Sequence, residues 1–303
     1  MNVKIFSEHE CQLGESPVYH PGRNSIFWLD ILNQEMFAKA VDSSAHAYDE
    51  RWRLPEMASA LALDASNNDL IWMVTDKSFG YFDLGCSEYT AVATLDLVKG
   101  MRANDGGVGL DGQFWFGTME FEPSGKHGSL FSVSQQGALN KYEFDIGIPN
   151  TFCWDAGERK FIVSDSFVQK TFSFSALADD EINNEFSLEE NATLLDTSKK
   201  MGVTPDGGCL DTEGNLWLAL WGGAAVACIN NDGVCKKNIS IPVPQPTSCC
   251  FGGGSNNLLF ISSAYDGMTD EQRSKYPESG KIFVVETPFR GADVARYQFL
   301  GGG

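Results

Sequence analysis

The sequence predicts an all-β fold, a six-bladed β-propeller of four-stranded antiparallel blades around a central channel, as one domain over residues 1–303. Three observations predict it: a short β-rich run recurs six times, a tight turn precedes each run, and no helical layer fits between them. The runs are Ile26-Phe27-Trp28-Leu29, Ile71-Trp72-Met73-Val74, Phe114-Trp115-Phe116-Gly117, Phe161-Ile162-Val163-Ser164, Leu216-Trp217-Leu218-Ala219 and Leu259-Phe260-Ile261-Ser262. With Trp28, Trp72, Trp115, Ile162, Trp217 and Phe260 as the common position, the spacings are 44, 43, 47, 55 and 43 residues, the length of a four-stranded blade.

The turns are rich in Gly, Asn and Asp, as in Pro21-Gly22-Arg23-Asn24, Asp111-Gly112 and Glu213-Gly214-Asn215, and read as hairpins between the first two strands of each blade. The excess in the 55-residue interval falls in residues 176–201, polar and acidic, which read as a surface insertion. Only residues 177–184 and 269–275 read as helical. A ring must close, so the N-terminal strand, residues 3–6, is expected in the last blade beside C-terminal strands at 281–285 and 296–300.

A net charge of −19 gives a field that repels phosphate backbones and anionic lipid, so nucleic acid and membrane are not expected partners. No run approaches the roughly 18 apolar residues of a membrane span, and residues 1–6 lack the apolar core of a signal peptide, so a cytoplasmic protein is expected. The eight cysteines form no paired CxxC and read as reduced, mostly buried thiols; in Cys249-Cys250, strand neighbours point to opposite faces, which favours core packing. A closed ring with no long apolar surface stripe is expected to be a monomer.

In a propeller the residues just before each inner strand meet around the axis at one mouth. Counting back from the aligned turns, that slot falls on Glu15, Ser59, Asp105, Asn150, Asp206 and Thr247. Asp-Gly segments are also ordinary turn formers, but turn formation does not require one inward position in independent repeats. Oxygen donors without His or Cys suit a hard divalent cation: calcium first, with magnesium, manganese, zinc or ferrous iron as alternatives. Arg102 is the one cation close to a slot; it reads either as an anchor for substrate oxygens or as a surface ion pair.

Gly14-Glu15-Ser16-Pro17, Arg102-Ala103-Asn104-Asp105-Gly106, Phe116-Gly117-Thr118-Met119, Pro149-Asn150, Pro205-Asp206-Gly207 and Thr247-Ser248-Cys249-Cys250-Phe251-Gly252-Gly253 carry a resemblance. In these, and in order along essentially the whole chain, it resembles the family of regucalcin, also called senescence marker protein, and the bacterial gluconolactonases. The resemblance implies a propeller lactonase holding one divalent metal with Glu15, Asn150 and Asp206. It implies Asp206 as catalytic base, and Arg102, Asn104 and a lid residue, Glu122, as substrate contacts. It favours Asn104 over its neighbour Asp105, which the slot count alone does not separate. The lid, Met119-Glu120-Phe121-Glu122-Pro123, departs from the family spacing.

The implied reaction is hydrolysis of a small sugar-acid lactone, an aldonolactone such as glucono-, galactono-, arabinono- or xylonolactone, to its free acid. There is no G-x-S-x-G elbow, and His9, His20, His46 and His127 fall in none of the slots, which disfavours serine-type hydrolysis. His127 precedes a strand and reads as structural. The alternatives are an arylesterase- or phosphotriesterase-like propeller and a non-catalytic metal-binding propeller; an apolar cup at the mouth, from Phe121, Phe152, Trp221 and Tyr265, would favour the first.

Overall fold

The computed structural model describes residues 1–44, 46, 47, 49–178 and 186–301. Strand β1 (Val3–Ser7) is followed by six sequential sets of strands. The first blade is β2 (Gly14–His20), β3 (Ser25–Asp30), β4 (Glu35–Ala40) and β5 (Glu50–Arg53), and the second is β6 (Ala58–Leu63), β7 (Leu70–Thr75), β8 (Ser78–Asp83) and β9 (Glu88–Thr94). The third is β10 (Met101–Val108), β11 (Phe114–Glu120), β12 (Gly128–Val133) and β13 (Leu139–Ile146). The fourth is β14 (Pro149–Asp155), β15 (Lys160–Asp165), β16 (Lys170–Ala178) and β17 (Phe186–Asp196). The fifth is β18 (Thr204–Leu210), β19 (Leu216–Trp221), β20 (Ala225–Ile229) and β21 (Cys235–Ser240). The sixth takes β22 (Pro246–Gly252), β23 (Leu258–Ser263) and β24 (Ile282–Glu286) from the C-terminal part and β1 as its outermost strand. This is the six-bladed propeller of four-stranded antiparallel blades that the repeats predict.

Burial grades outward within each blade. The second strands β3, β7, β11 and β23 are almost wholly buried, because a blade is covered on both faces by its neighbours, whereas the outermost strands β5, β9 and β21 are largely exposed. This explains why the repeat is legible as short apolar runs. Three blade tryptophans also hold the hairpin beneath them: Trp72 Nε1 donates to Asp64 at 2.7 Å, Trp115 Nε1 to Asp111 at 3.0 Å and Trp217 Nε1 to Asp211 at 2.9 Å. The turn at Gly214 needs a φ of +77°, which glycine adopts without a Cβ penalty.

Register corrects one alignment. The inner-strand partners are Val18 with Phe27, Ala62 with Trp72, Gly107 with Trp115, Cys153 with Ile162, Cys209 with Trp217 and Cys250 with Phe260. Phe27, not Trp28, is therefore the first repeat's equivalent. Trp28 points to the opposite face and packs with Phe6, Cys11 and Phe37.

Ring closure follows expectation for one strand and not for another. β1 pairs antiparallel with β24, with Val3 opposite Val285 and Ile5 opposite Phe283. Residues 296–300 do not join the sixth blade, because β1 already occupies its outer edge. The chain instead crosses beneath the ring: Ala292 N donates to Leu210 O at 3.0 Å, Tyr297 N to Leu63 O at 2.9 Å and Leu300 N to Gln135 O at 2.6 Å. Tyr297 is fully buried against Trp72 and Phe79, with its hydroxyl donating to Ser134 O at 2.5 Å.

The long fourth-blade interval is not a detached insertion. Its length goes into β16 and β17, which pair from Lys170 opposite Asp196 to Ala178 opposite Phe186. Leu177 and Ala178 are strand, not helix; the rest of the expected helix, 179–184, lies outside the described residues. The other expected helix forms as α1 (Asp270–Lys275), capped by Thr269 and Gln272 in a reciprocal capping box. No described helix is long and apolar enough to cross a membrane.

Cys11, Cys153, Cys228, Cys249 and Cys250 are buried, Cys209 is half-buried, and Cys86 and Cys235 are exposed. Cys249 and Cys250 enter different core clusters, as opposite faces of β22 require.

Tyr297→Ala is expected to cost about 3–5 kcal/mol, the range for emptying a buried aromatic site. Tyr297→Phe, which removes only the bond to Ser134, should cost about 1 kcal/mol. Urea unfolding midpoints separate the two.

Candidate functional site at one mouth of the channel

Each inner strand carries one more residue than its partner near its start, with register shifts at Glu15/Val18, Ala58/Ala60, Ala103/Gly106, Asn150/Cys153, Pro205/Gly208 and Pro246/Ser248. These are bulges, which bend a strand and re-aim its side chains. The predicted slot therefore lies inside the first turn of the inner strands, not before them. Counting three residues back from each inner-strand partner named above gives Glu15, Ser59, Asn104, Asn150, Asp206 and Thr247. The slot count was off by one in the third blade: Asn104, not Asp105, shares the row.

Asp105 has a different task. Its Oδ1 accepts Gly106 N and its Oδ2 accepts Thr151 N, each at 2.8 Å, joining the third and fourth inner strands. No ladder runs between blades, and other side chains make similar stitches. Ser16 Oγ accepts Leu61 N at 2.8 Å, Ser166 Oγ donates to Pro205 O at 2.5 Å, and the Thr151 hydroxyl donates to the Asp206 carbonyl. Ser16 and Thr151 sit at φ of +50° and +61°, left-handed backbone immediately after Glu15 and Asn150. Non-glycine residues there are strained, which marks the bulges as positions held by their surroundings.

Asn104 and Asn150 touch. Asn104 Nδ2 donates to Asn150 Oδ1 at 3.0 Å and to Pro149 O at 2.9 Å, while Arg102 Nη1 donates to Asn104 Oδ1 at 2.8 Å. Asn150 Nδ2 in turn donates to Ser166 Oγ at 2.9 Å. Glu15, Arg102, Asn150 and Asp206 are all at least nine-tenths buried. Arg102 is thus not a surface ion pair.

The electrostatics are unbalanced. Burial, and then the charges of Asp206 and Asp105, push the Glu15 carboxyl well above the usual carboxylate range. Burial followed by Asp105 does the same to Asp206, and burial raises Asp105 to about 6 against its backbone N–H donors. Burial lowers Arg102 to about 10, opposed by Glu15, Asp266 and Asp206. One guanidinium faces three acids, Glu15 and Asp206 on the inner strands of other blades and Asp266 in a loop.

Two contributors escaped sequence reading. Asp266, in the loop between β23 and β24, acts on Arg102 and is held by Gln12 Nε2 at 3.1 Å. Ser166 fixes the Asn150 amide. Neither has a counterpart in the other repeats, so no alignment of blades finds them.

The expected lid residue, Glu122, is exposed in the loop after β11, which register puts at the mouth end, since Met101 pairs with Glu120. It is not brought against the other site residues by any hydrogen bond or ion pair among the described residues. His127 lies 3.1 Å from Glu120 and is more than half exposed, a loop contact of the structural kind expected.

The channel below the ring of slots is a cavity of about 210 Å³, lined by Val18, Leu61, Phe152, Cys153, Cys209 and Cys249 among others and floored by residues 292–295. The crossing C-terminal segment therefore lies along the far end, opposite the polar ring. Phe152 lines this lower cavity, not the mouth.

A six-bladed propeller with buried oxygen donors gathered at one end of its channel defines a class of proteins, and the comparisons place the chain within it. The chain belongs to the family described as "SMP-30/Gluconolactonase/LRE-like region", matched over residues 13–265. It is 31% identical over 312 residues to regucalcin from Pongo abelii, covering 99% of each chain. It is 28% identical over 288 residues to a Rhizobium meliloti (strain 1021) protein named provisionally as a sugar lactone lactonase, covering 95% of this chain and 94% of the other. A calcium-binding protein of Agrobacterium tumefaciens, regucalcin, has a solved structure that superposes with a TM-score of 0.87 at 26% identity, over 97% and 96% of the two chains.

Opposite stability effects are expected from two neighbouring acids. In chelator-treated protein at pH 7, Asp206→Asn should raise the urea midpoint by relieving repulsion among buried carboxyls. Asp105→Ala should lower stability by about 1–3 kcal/mol, because it leaves buried backbone N–H groups unpaired.

Proposed function

We propose that the chain is a metal-dependent lactonase that opens a sugar-acid lactone, an aldonolactone, to the free acid. The observation that carries the reading is the single row of Glu15, Asn104, Asn150 and Asp206 with Arg102 bonded to it. Membership of a family whose description includes gluconolactonase supports the reaction class.

The donor set fits a hard divalent cation: the groups are oxygen only, they come from three blades, and two buried carboxyls are pushed up in pKa by burial and then by neighbouring acids. Glu15, Asn150 and Asp206 would hold the ion, calcium first and magnesium, manganese, zinc or ferrous iron as alternatives. When bound, such an ion polarises a carbonyl and acidifies water. Asp206 accepts the proton of the attacking water as general base. Arg102 and Asn104 orient the sugar oxygens, and the Arg102 guanidinium donates toward the charge that develops on the carbonyl oxygen. The Asn104 amide donates to Asn150 Oδ1, and the Ser166 hydroxyl accepts from Asn150 Nδ2, so the Asn150 oxygen is oriented before substrate arrives. Glu122, exposed in the loop after β11, would contact the sugar from the rim.

A polar substrate suits this mouth better than an aryl ester. Phe152 belongs to the lower cavity and the Tyr265 ring is covered by the Arg273 guanidinium at 3.7 Å, which leaves Phe121 and Trp221 as the apolar part of a mouth that also carries Arg102, Asn104 and Asp266. We further propose that the protein works as a monomer in the cytoplasm on a small-molecule substrate.

Metal-stripped protein with calcium, magnesium, manganese, zinc or ferrous iron added back should release protons from glucono-, galactono-, arabinono- or xylonolactone in a pH-stat. Asp206→Ala is expected to lose about 100- to 10,000-fold in kcat, the range for a general base. Absence of turnover on every lactone by metal-loaded wild type would sink the reading.

A pH test probes the cation separately. Because Glu15 and Asp206 are raised on folding, their protonated forms contribute stability that is present below the ordinary carboxylate range and is lost as pH rises through the raised values. A cation offsets that loss. The gain in melting temperature on adding calcium should be larger at pH 7 than at pH 5; equal gains would count against calcium binding by these two acids.

A further inference from the structure

The segment between β1 and β2, residues 8–13, carries a second cluster that the mouth does not use. His9, Cys11 and Asp30 each place one ligand atom within 4.8 Å of the other two. Asp30 is fully buried at the end of β3, where it accepts Gln12 N at 2.8 Å, Leu13 N at 3.2 Å and Asn33 Nδ2 at 2.8 Å. The propeller frame accounts for that carboxylate: Asp165 does the same at the end of β15, accepting Gly147 N and Ile148 N at 3.0 Å each. The frame does not account for an imidazole and a thiol beside it: with Gln12 and Leu13 matched to Gly147 and Ile148, the fourth-blade positions matching His9 and Cys11 are Phe144 and Ile146.

A second, independent observation concerns Trp28. Its indole N–H is buried and meets no oxygen or nitrogen acceptor, as is also true of Trp154, whereas Trp72, Trp115 and Trp217 each donate to an aspartate. An unpaired buried donor is costly. Its neighbour is the Cys11 sulfur, whose ionised form it favours against the burial that otherwise holds the thiol neutral. A thiolate at Cys11 would give this N–H its acceptor.

The surroundings are negative. Asp30, Asp49 and Glu35 all act on Cys11. Asp49 is paired with Lys39 and Glu35 with Arg51, but no cation pairs with Asp30 among the described residues. Burial keeps His9 neutral, with a lone pair to offer, and its ring lies 4.2 Å from Phe37. His9, with Glu8, Phe37, Asp49 and Arg51, borders an open surface pocket that supplies a route from solvent.

We propose that His9, Cys11 and Asp30 form a second metal site, for a borderline, thiol-seeking divalent ion of the zinc or cobalt type. Sulfur, nitrogen and one carboxylate oxygen select such ions over calcium or magnesium. Ligands bound to zinc at about 2.0–2.3 Å require a contraction of this cluster and leave a fourth position to water. The site shares no residue with the oxygen-lined mouth, so the two sites differ in both ligands and ion preference.

The test uses the full chain, stripped with chelator and titrated with Co(II) under reducing conditions. A thiolate-to-cobalt charge-transfer band should appear, persist in Asp206→Ala, and be lost in both Cys11→Ser and His9→Ala, each verified as folded by circular dichroism. Bound cobalt in Cys11→Ser should fall by one equivalent relative to wild type. Should Cys11→Ser fail to fold, His9→Ala at the half-buried position carries the test alone. No charge-transfer band in wild type at saturating Co(II), or a band undiminished in either folded variant, overturns the site.

Discussion

Among the described residues, the hydrogen-bonded pairing of β1 with β24 is the one strand pairing that does not join chain neighbours, and the ring depends on it. Without it the sixth blade has three strands and an open edge, and the first and last inner strands lack the framework that keeps them adjacent. Everything at the mouth is a consequence of closure. Glu15 comes from the first blade and Asp206 from the fifth, and they act on one another only because the circle brings their inner strands to a common axis.

Closure also creates an electrostatic cost. Packing of the six blades does not require charged residues at the inner strand starts, yet this chain buries Glu15, Asp206 and Asp105 with Arg102 as their near cation. Buried charges without partners are unfavourable by several kcal/mol each. A fold stabilised by large apolar blade interfaces can carry that burden at one place. The interfaces are extensive: Trp72, Phe79, Phe114, Phe116 and Tyr297 belong to one such cluster, and Trp217, Phe251 and Leu259 to another.

The bulges connect these two themes. A regular strand would alternate its side chains between the faces of its blade. One extra residue in each inner strand turns a side chain at the slot toward the axis and breaks the ladder locally, which leaves backbone groups to be stitched by Ser16, Asp105, Thr151 and Ser166. Asp105 and Asn104 are chain neighbours with opposite tasks for this reason. One closes the backbone between blades, while the other bonds to Asn150 and Arg102.

The sequence by itself determined the number of blades, the hairpin turns and five of the six slot residues. Each depends on chain-local patterns: buried second strands read as apolar runs, and tight turns demand Gly, Asn or Asp. It also determined α1, whose capping box is contained in seven residues. Only the tertiary structure moved the first repeat's anchor from Trp28 to Phe27 and sent residues 296–300 beneath the channel instead of into the last blade; the slot count left Asn104 and Asp105 unseparated, and register agrees with the resemblance in putting Asn104 in the row. Register depends on a bulge whose position is set by the partner strand, and the path of the C-terminal segment depends on which edge β1 has already filled. Asp266 and Ser166 were likewise invisible, because their roles arise from loops that differ from blade to blade and meet the site only once the ring has closed.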